Sequence, residues 1–241
     1  MSNTYETEKL LAEYLLFHYG ESDDLLPWPD GPRDALEFPQ RCAQLVIDHT
    51  NTFGSALDLG CAVGRSTFSL AERFEHALGI DYSQAFVNAA NDLRDEGQRT
   101  ISIIQEADQT REVDIVAPPG KPAFEHGDAC ALREDLGSYD ALLMANLICR
   151  LHTPAACLDR LPGLVNPGGV LVITTPNTWL EEFTPREKWI PQGAQSTLEG
   201  LQGALTPSFE LLETANLPFL IREHARKFQW TVAEASVWRR N

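Results

Sequence analysis

The stretch that decides the fold is ALDLGCAVGRSTFSLA, which runs from Ala56 to Ala71. It begins with a short apolar run around one acid, Asp58, and its second half has the apolar spacing of a helix. Between these two elements, Gly60 and Gly64 enclose a tight turn. Glycines placed between a strand and a helix let the backbone approach a ligand closely. The stretch therefore predicts a ligand site at the end of the first strand.

Strands and helices alternate along the rest of the chain, which predicts an α/β fold with a parallel sheet and helices on both faces. Two further strands are predicted within the C-terminal part, and they bring the sheet to seven strands. The earlier strands are nearly continuous apolar runs, which are typical of strands buried on both sides. They lie at residues 56–59, 76–81, 123–128, 139–148 and 169–176, with helices at 66–74, 83–96 and 153–165.

Two segments interrupt this alternation. Residues 98–122 contain two strand-like pieces that suit a hairpin, and residues 177–208 follow the fifth strand. Insertions at the carboxyl ends of strands commonly cover a site, so we expect 177–208 to form a lid. The expected divisions are a helical cap at 1–50 with helices at 4–19 and 39–50, a ligand-binding core at 51–176, and C-terminal strands at 209–241, all within one domain of residues 1–241.

The composition and charge of the chain limit the classes of partner and function that we expect. The 241 residues, 43% of them hydrophobic, suit one globular domain with a full core. A formal charge of -16 repels phosphate backbones and anionic lipid, so no nucleic-acid or membrane partner is expected. No apolar run is long enough to span a membrane, and the N-terminal residues lack the features of a signal peptide. The five cysteines are scattered and form no metal-binding spacing, so we expect reduced thiols, a cytoplasmic location and no metal.

The glycine spacing disfavours a nicotinamide-dependent oxidoreductase. A dinucleotide fingerprint needs G-x-G-x-x-G, and a P-loop needs a Lys after its last glycine, but neither pattern occurs here. The order is instead D-x-G-x-A-x-G, from Asp58 through Gly60 and Ala62 to Gly64. This order resembles the first motif of the class I S-adenosylmethionine-dependent methyltransferases, which is acid-x-G-x-G-x-G. The family fold is a Rossmann-like, seven-stranded sheet whose last strand is antiparallel.

The resemblance extends to the ends of three further strands. Asp81 closes the second strand, where the family has the acid that binds the ribose hydroxyls, and Tyr82 follows it. Asp128 and Ala129 lie in a Gly-Asp-Ala sequence that resembles the adenine-side motif, and Asn146 lies where the family contacts methionine and substrate. The resemblance implies S-adenosylmethionine as cofactor and S-adenosylhomocysteine as product. The turn completes the implied cofactor-binding set with Asp58, Gly60, Ala62 and Gly64.

Two N-terminal blocks are unlike generic methyltransferase sequence. They are YETEKLLAEYLLFHYG at 5–20 and DALEFPQRCAQL at 34–45. With NLICRLHTP at 146–154 and TPNTWLEEFTPREKWI at 175–190, they resemble the 5-thiohistidine (4-mercaptohistidine) N-methyltransferases of ovothiol biosynthesis. That family occurs as the C-terminal domain of ovothiol synthases and as a stand-alone enzyme. One departure is Cys149, where we would expect an acid.

The resemblance implies methyl transfer to the imidazole Nπ of 5-thiohistidine, which gives ovothiol A. The implied pathway partner is an iron-dependent sulfoxide synthase, which has no counterpart in this chain. A neutral imidazole nitrogen is available near pH 7, so the site needs orientation more than a strong base. Two alternatives remain open: a methyltransferase for another small amino-acid or imidazole acceptor, and a non-catalytic protein that binds S-adenosylmethionine.

The substrate's carboxylate calls for an Arg fork. Arg41 and Arg150 are the candidates because each lies in one of the resembling blocks, although each would also suit a surface ion pair. Tyr14 and His18 are four residues apart, so they share a helix face. We treat them, together with Asn146, as the candidate catalytic residues.

Three further interpretations concern the walls of the pocket. His18 suits either a structural histidine or a catalytic base. Tyr19 is expected to contribute to substrate binding from the flank, as is Tyr5. Trp179 follows the fifth strand and suits either stacking on the imidazole or anchoring of the core.

Overall fold

A large mixed sheet stands beside a separate hairpin in this protein, and the computed structural model describes residues 7–241. The large sheet has seven strands. The strand that comes last in the chain runs antiparallel to both of its neighbours, and all other neighbouring strands of the sheet run parallel to each other. This confirms the predicted α/β class. The strands are β1 (Ser55–Leu59), β2 (His76–Asp81), β3 (Gln98–Glu106), β4 (Gln109–Val116), β5 (Ala123–His126), β6 (Tyr139–Ala145), β7 (Val165–Thr175), β8 (Phe209–His224) and β9 (Lys227–Arg240). The order in the large sheet is β5-β2-β1-β6-β7-β9-β8, and β3 pairs with β4.

The helices cover both faces of this sheet. Ser83 caps the helix after β2, as its hydroxyl accepts from the amide of Phe86 at 3.1 Å. Across residues 7–241, none of the helices is both long and apolar enough to cross a bilayer. The helices are α1 (Glu8–Tyr19), α2 (Ser22–Leu25), α3 (Phe38–His49), α4 (Arg65–Ala71), α5 (Gln84–Glu96), α6 (Pro154–Leu164) and α7 (Thr197–Leu205).

Some predicted boundaries are wrong. The fourth sheet strand ends at Ala145 and not at residue 148, because Asn146 takes a left-handed φ of 54° and Ile148–Arg150 form a 3-10 turn. Between the two predicted helices of the cap, the chain forms the additional helix α2 and a 3-10 turn at Arg33–Ala35. The first helix begins at Glu8, and residues 4–6 of its predicted range lie outside the described part of the chain.

Alternate residues of each central strand pack on opposite faces of the sheet. One face packs against α6 and α7, and the other packs against α3 and α4. On β6, for example, Leu142 and Met144 belong to the first face, and Ala141 and Leu143 to the second. Double-sided burial explains why the strands are nearly continuous apolar runs.

The two strand-like pieces within residues 98–122 pair as the hairpin β3–β4. Its apolar side, which includes Ile101 and Ile103, packs with Leu15 and Leu16 of α1. Alternate residues of both strands face solvent. The hairpin therefore backs α1 on the side away from the sheet, and α1 is held between them.

We expect the Gly64→Ala substitution to destabilise the protein by about 2–4 kcal/mol. Gly64 has a φ of +93°, and an added Cβ would lie 2.5 Å from Cζ of Phe124. The Gly97→Ala substitution is the matched control, since Gly97 has a φ of +80° and nothing within 4 Å of an added Cβ. Its expected cost is about 1 kcal/mol, from backbone strain alone. Urea unfolding measures both, and equal losses would contradict the packing role of Gly64.

Candidate active site

A cleft of about 960 Å³ opens at the carboxyl ends of β1, β2, β5 and β6. This edge is where ligands bind in open α/β sheets. Helix α1 and the end of the β8–β9 hairpin form its outer wall. The volume lies in the range of pockets that enclose a small molecule or a cofactor.

The turn after β1 forms the floor of the cleft. Gly60 and Ala62 both take left-handed φ values, 75° and 49°, and both line the cleft. The amide of Gly60 donates to the carbonyl of Ile80 at 2.7 Å, which ties the turn to β2. A Cβ at Gly60 would lie 2.8 Å from Cδ1 of Leu147. The backbone at Gly60 thus forms the cleft surface where a side chain would not fit. Ala62 replaces the central glycine of the motif, and the turn accommodates its Cβ atom.

Asp81 lies at the end of β2 and faces the cleft. Its carboxylate accepts hydrogen bonds from the amides of Ala62 and Ser83, both at 2.8 Å. Burial raises its pKa, and these two amides oppose the rise. None of the salt bridges within residues 7–241 involves this carboxylate, which leaves it able to accept from ligand hydroxyls.

Two residues of the motif do not line the cleft, contrary to the expectation that they bind the cofactor. Asp58 is fully buried, and its Oδ2 accepts from the hydroxyls of Ser66 and Thr67, each at 2.7 Å. Burial raises its pKa to about 6. Gly64 packs against Phe124 instead. Both residues therefore hold the strand–turn–helix unit in shape from behind.

The residues predicted for the adenine side line the cleft. Tyr82 is 52% exposed and lines the cleft, and Nε2 of His126 donates to its carbonyl at 2.8 Å. Asp128 and Ala129 also line it, and Asp128 accepts from the amide of Cys130 at 2.8 Å. Together, Tyr82, His126, Asp128 and Ala129 form a partly aromatic edge of the cleft.

Asn146 lies at the end of β6 on the cleft surface. Its amide donates to the carbonyl of Thr174 at 2.9 Å, and its Oδ1 accepts from the Thr174 hydroxyl at 3.1 Å. The left-handed backbone turns Asn146 and Leu147 toward the cleft, whereas Ile148 is buried in the core.

One face of α1 forms the outer wall of the cleft. Tyr14 and His18 lie on this face, as their spacing predicts, and their rings stack with centroids 6.0 Å apart. His18 is 6% exposed, and its Nδ1 has no hydrogen-bond partner among the described residues. Burial, together with the charge of Arg65, lowers its pKa to about 3, so the ring is neutral near pH 7. The whole face consists of Leu10, Glu13, Tyr14, Phe17 and His18.

Arg150 is the one predicted arginine that borders the cleft. Its Nη1 donates to the carbonyl of Thr178 at 2.8 Å and lies 3.3 Å from Sγ of Cys149. The guanidinium lies over the ring of Phe183 at 4.9 Å. Cys149 is buried and in contact with Arg150, in the position where we expected an acid.

Arg41 and Tyr19, both predicted to bind the substrate, are not among the residues that line the cleft. Arg41 donates to the carbonyls of Leu36, at 3.0 Å, and of Pro218. The hydroxyl of Tyr19 donates to the carbonyl of Val63 at 2.6 Å. Both side chains thus donate hydrogen bonds to backbone carbonyls, and no pattern in the sequence predicts these contacts.

Trp179 lies in the core, which agrees with core anchoring, the second of the two roles predicted for it. Its Nε1 donates to the hydroxyl of Thr197 at 3.0 Å. Of the expected lid segment, Thr178, Leu180, Glu182 and Phe183 line the cleft, and Leu201 and Leu205 of α7 pack on the core face with α6. Tyr5 lies outside the described residues.

Several cleft residues are absent from the sequence prediction. Glu13 has the same helical spacing as Tyr14 and His18, so extension of that face would have found it. The C-terminal hairpin carries no such signal, because its contribution depends on the register of β8 against β9. Its cleft residues are Phe219, Ile221, Gln229 and Thr231.

Comparison with known proteins agrees with this geometry. Residues 57–171 match the family model described as a methyltransferase domain. The N-methyltransferase NodS of Bradyrhizobium japonicum, solved with S-adenosyl-L-homocysteine, superposes with a TM-score of 0.58 at 15% identity, over 95% of this chain and 98% of that one. The chain has the class I methyltransferase fold.

Two curated relatives share the methyltransferase part of the chain. The trans-aconitate 2-methyltransferase of Deinococcus radiodurans is 30% identical over 146 residues, which are 60% of this chain and 46% of that protein. The ubiquinone biosynthesis O-methyltransferase of Methylococcus capsulatus is 26% identical over 159 residues, 64% of this chain and 58% of that protein. The chain spans about half the length of these relatives, and their acceptors differ from each other.

The geometry of the cleft itself, apart from any relative, fits S-adenosylmethionine. Asp81 presents a carboxylate that suits the hydroxyls of a ribose, and Gly60 leaves room where a Cβ would collide with Leu147. Asp128 and Ala129 lie where the adenine is expected. Within residues 7–241, no group of three or more metal-type ligands competes for this space.

We expect the Asp81→Ala substitution to weaken S-adenosylhomocysteine binding by about 10- to 100-fold, because the ribose loses a charged acceptor. Titration calorimetry measures the dissociation constant. The Asp140→Ala substitution is the matched control, since Asp140 also accepts from two backbone amides, Gly54 at 2.9 Å and Ser55 at 3.1 Å, at the opposite end of β1. Unchanged affinity in Asp81→Ala, or an equal loss in the control, would overturn the ribose assignment.

We expect His18 to make the protein less stable in acid. Its folded pKa lies below the unfolded value, so the unfolded state binds the proton first and the free energy of unfolding falls as the pH drops below about 6.5. Between about pH 8 and pH 5, the wild type should lose about 2 kcal/mol more than the His18→Gln variant. Urea unfolding at several pH values measures this difference. Parallel pH curves for the two proteins would show that His18 is not held neutral.

Proposed function

We propose that this chain transfers a methyl group from S-adenosylmethionine to the imidazole Nπ of 5-thiohistidine and so forms ovothiol A. The observation that carries the proposal is the position of α1. The segment whose sequence resembles the thiohistidine methyltransferases supplies the cleft wall that bears Tyr14 and His18. The resemblance therefore lies where an acceptor would be recognised, and not only where the cofactor binds.

The cofactor supplies a methyl group on a cationic sulfonium, which is a good leaving group. The protein residues that would hold it are Gly60 and Ala62 through the backbone and Asp81 through its carboxylate. The aromatic rings of Tyr14 and Phe17 suit the flat imidazole of an acceptor. Orientation of this kind supplies up to roughly 7–11 kcal/mol of the barrier reduction in well-aligned reactions.

His18 is better suited to position the acceptor than to act as the base that takes the acceptor's proton. With a pKa lowered to about 3, it is too weak a base to hold a proton near neutral pH. Its unpartnered Nδ1 can still accept a hydrogen bond from the ring N–H of the acceptor. In this proposal, His18 fixes which ring nitrogen faces the methyl group, and the proton leaves to water after transfer.

Arg150 supports an acceptor that carries a carboxylate. It borders the cleft, and the Phe183 ring and the Thr178 carbonyl fix its orientation. This feature would also suit a different carboxylate-bearing acceptor, such as the one named for the trans-aconitate relative. We therefore keep methylation of another small carboxylate-bearing acceptor as the second candidate function.

The direct test is incubation with S-adenosylmethionine and 5-thiohistidine. We expect a mass gain of one CH₂ group, located at Nπ by NMR, and no gain with histidine, which lacks the thiol. Trans-aconitate tests the second candidate. Methylation of another acceptor with none on 5-thiohistidine would overturn the proposal, and cofactor binding without turnover on any acceptor would favour a non-catalytic protein.

We expect the Arg150→Gln substitution to raise the KM for 5-thiohistidine by about 10- to 100-fold, because a charge-assisted bond to the carboxylate is lost. The Arg186→Gln substitution is the control, since Arg186 lies over the Trp189 ring outside the cleft. Steady-state kinetics and the affinity for S-adenosylhomocysteine are measured in both variants. A loss of cofactor affinity with no change in KM would contradict the proposed contact.

A further inference from the structure

Glu13 is a cleft carboxylate that has no hydrogen-bonded partner for one of its oxygens. Its side chain is only 14% exposed, and Oε1 finds no donor within hydrogen-bond distance among residues 7–241. Burial is the main cause of the rise in its pKa. Buried carboxyl oxygens normally have donors, so a residue of this kind on a cleft wall points to a ligand that supplies one.

The basic groups near Glu13 do not meet this need. Nζ of Lys9 lies 3.7 Å from Oε1, beyond hydrogen-bond distance, and its side chain is 64% exposed, so the pair contributes little. Lys227 instead pairs with Glu223 at 2.7 Å, and Nε2 of Gln229 donates to the same carboxylate at 3.1 Å. Burial and, to a smaller extent, the charge of Glu223 raise the pKa of Glu13, whereas Lys9 and Lys227 lower it. The pKa is raised on balance, so the nearby cations do not fully compensate the buried carboxylate.

The position of Glu13 along α1 separates it from the cofactor turn. The Tyr19 hydroxyl bonds to the Val63 carbonyl, so the C-terminal end of α1 lies at that turn. Glu13 is six residues earlier, which places it about 9 Å further along the helix axis. His18 lies between the two, on the same face. Glu13 thus belongs to the outer, acceptor side of the cleft, which Gln229 of β9 also lines.

We propose that Glu13 binds the α-ammonium group of an amino-acid acceptor and so makes the enzyme select amino acids over acceptors that lack the amine. The inference rests on the proposed function for its acceptor class. Arg150 and Glu13 carry opposite charges on the walls of one cleft, which suits a zwitterion. The methionine end of the cofactor carries the same ammonium chemistry, but the position of Glu13 on the outer part of α1 favours the acceptor.

The test compares ligands with and without the amine. Calorimetry with saturating S-adenosylhomocysteine measures binding of 5-thiohistidine and of its deaminated counterpart, and likewise of histidine and imidazole-4-propanoate. The Glu13→Gln variant keeps the shape of the side chain and removes its charge. Glu8→Gln is the matched control, because Glu8 lies on the same helix, is exposed and does not border the cleft.

We expect Glu13→Gln to weaken binding of the amine-bearing ligands by about 30-fold and to leave the deaminated ligands and S-adenosylhomocysteine unchanged. The Glu8→Gln variant should match the wild type. Equal weakening of both ligand classes would overturn the inference, and so would a loss confined to S-adenosylhomocysteine, which would assign the carboxylate to the cofactor.

Failure of this inference is distinguishable from failure of the proposed function. If the wild type prefers the amine-bearing ligands but does not methylate 5-thiohistidine, the proposed function falls, and the Glu13→Gln binding data still decide the role of Glu13. If methylation occurs and Glu13→Gln keeps the full amine preference, only the Glu13 inference falls. If the wild type binds no amino acid at all, both fall.

Discussion

The hydrogen bond from the Ala62 amide to the Asp81 carboxylate joins the two strand ends on which the cleft is built. The turn after β1 contains several left-handed residues, and Ala62, as a non-glycine, takes this conformation at an energetic cost. Bonds from the turn to β2 offset that cost, because the Gly60 amide also reaches the Ile80 carbonyl. The acid that fixes the turn is also the acid that faces the cleft. Binding chemistry and backbone conformation therefore depend on one side chain.

The outer wall of the cleft depends on a second set of contacts. Tyr19 fixes the end of α1 to the Val63 carbonyl, and the hairpin β3–β4 packs on the far side of the helix. The free side of α1 is then directed to the cleft, with Tyr14 and His18 on it. Because β8 and β9 run on beyond their pairing with β7, their far ends reach the same space. Helix α1 and the far end of the β8–β9 hairpin, which are far apart in the sequence, thus enclose the same cleft.

The sequence predicts those features that local periodicity or strand ends determine. The succession of strands and helices, the glycine turn after the first strand and the position of Asp81 at a strand end follow from buried apolar runs and from the edge at which parallel strands end. Arg41 and Trp179 illustrate what it does not determine. Residue type shows that an Arg has donors to offer, but not whether a backbone carbonyl uses them. The Arg41 guanidinium meets the carbonyl of Pro218, which lies 177 residues away along the chain.

The same distinction explains the residues that were missed. Glu13 shares the helical period of Tyr14 and His18, so the signal was present in the sequence. Gln229 carries no comparable signal, since its place on the cleft depends on pairing with Ile221 across the hairpin. A strand residue points to one face or the other according to register, and a shift of one residue would move it away. Long-range register is therefore the main unknown for acceptor recognition.

The hairpin behind α1 has a consequence for how the protein assembles. The outer wall of the cleft and the hairpin behind it combine residues 8–19, 98–116 and 217–231, which are far apart in the chain. Such contacts form late in folding, since closing long loops costs entropy before the contacts return it. The central sheet, in contrast, pairs mainly neighbouring strand–helix units. Hydrogen exchange should therefore separate two cooperative units, a slowly exchanging central sheet that includes the turn after β1, and a more readily opening outer wall of α1 and the β3–β4 hairpin.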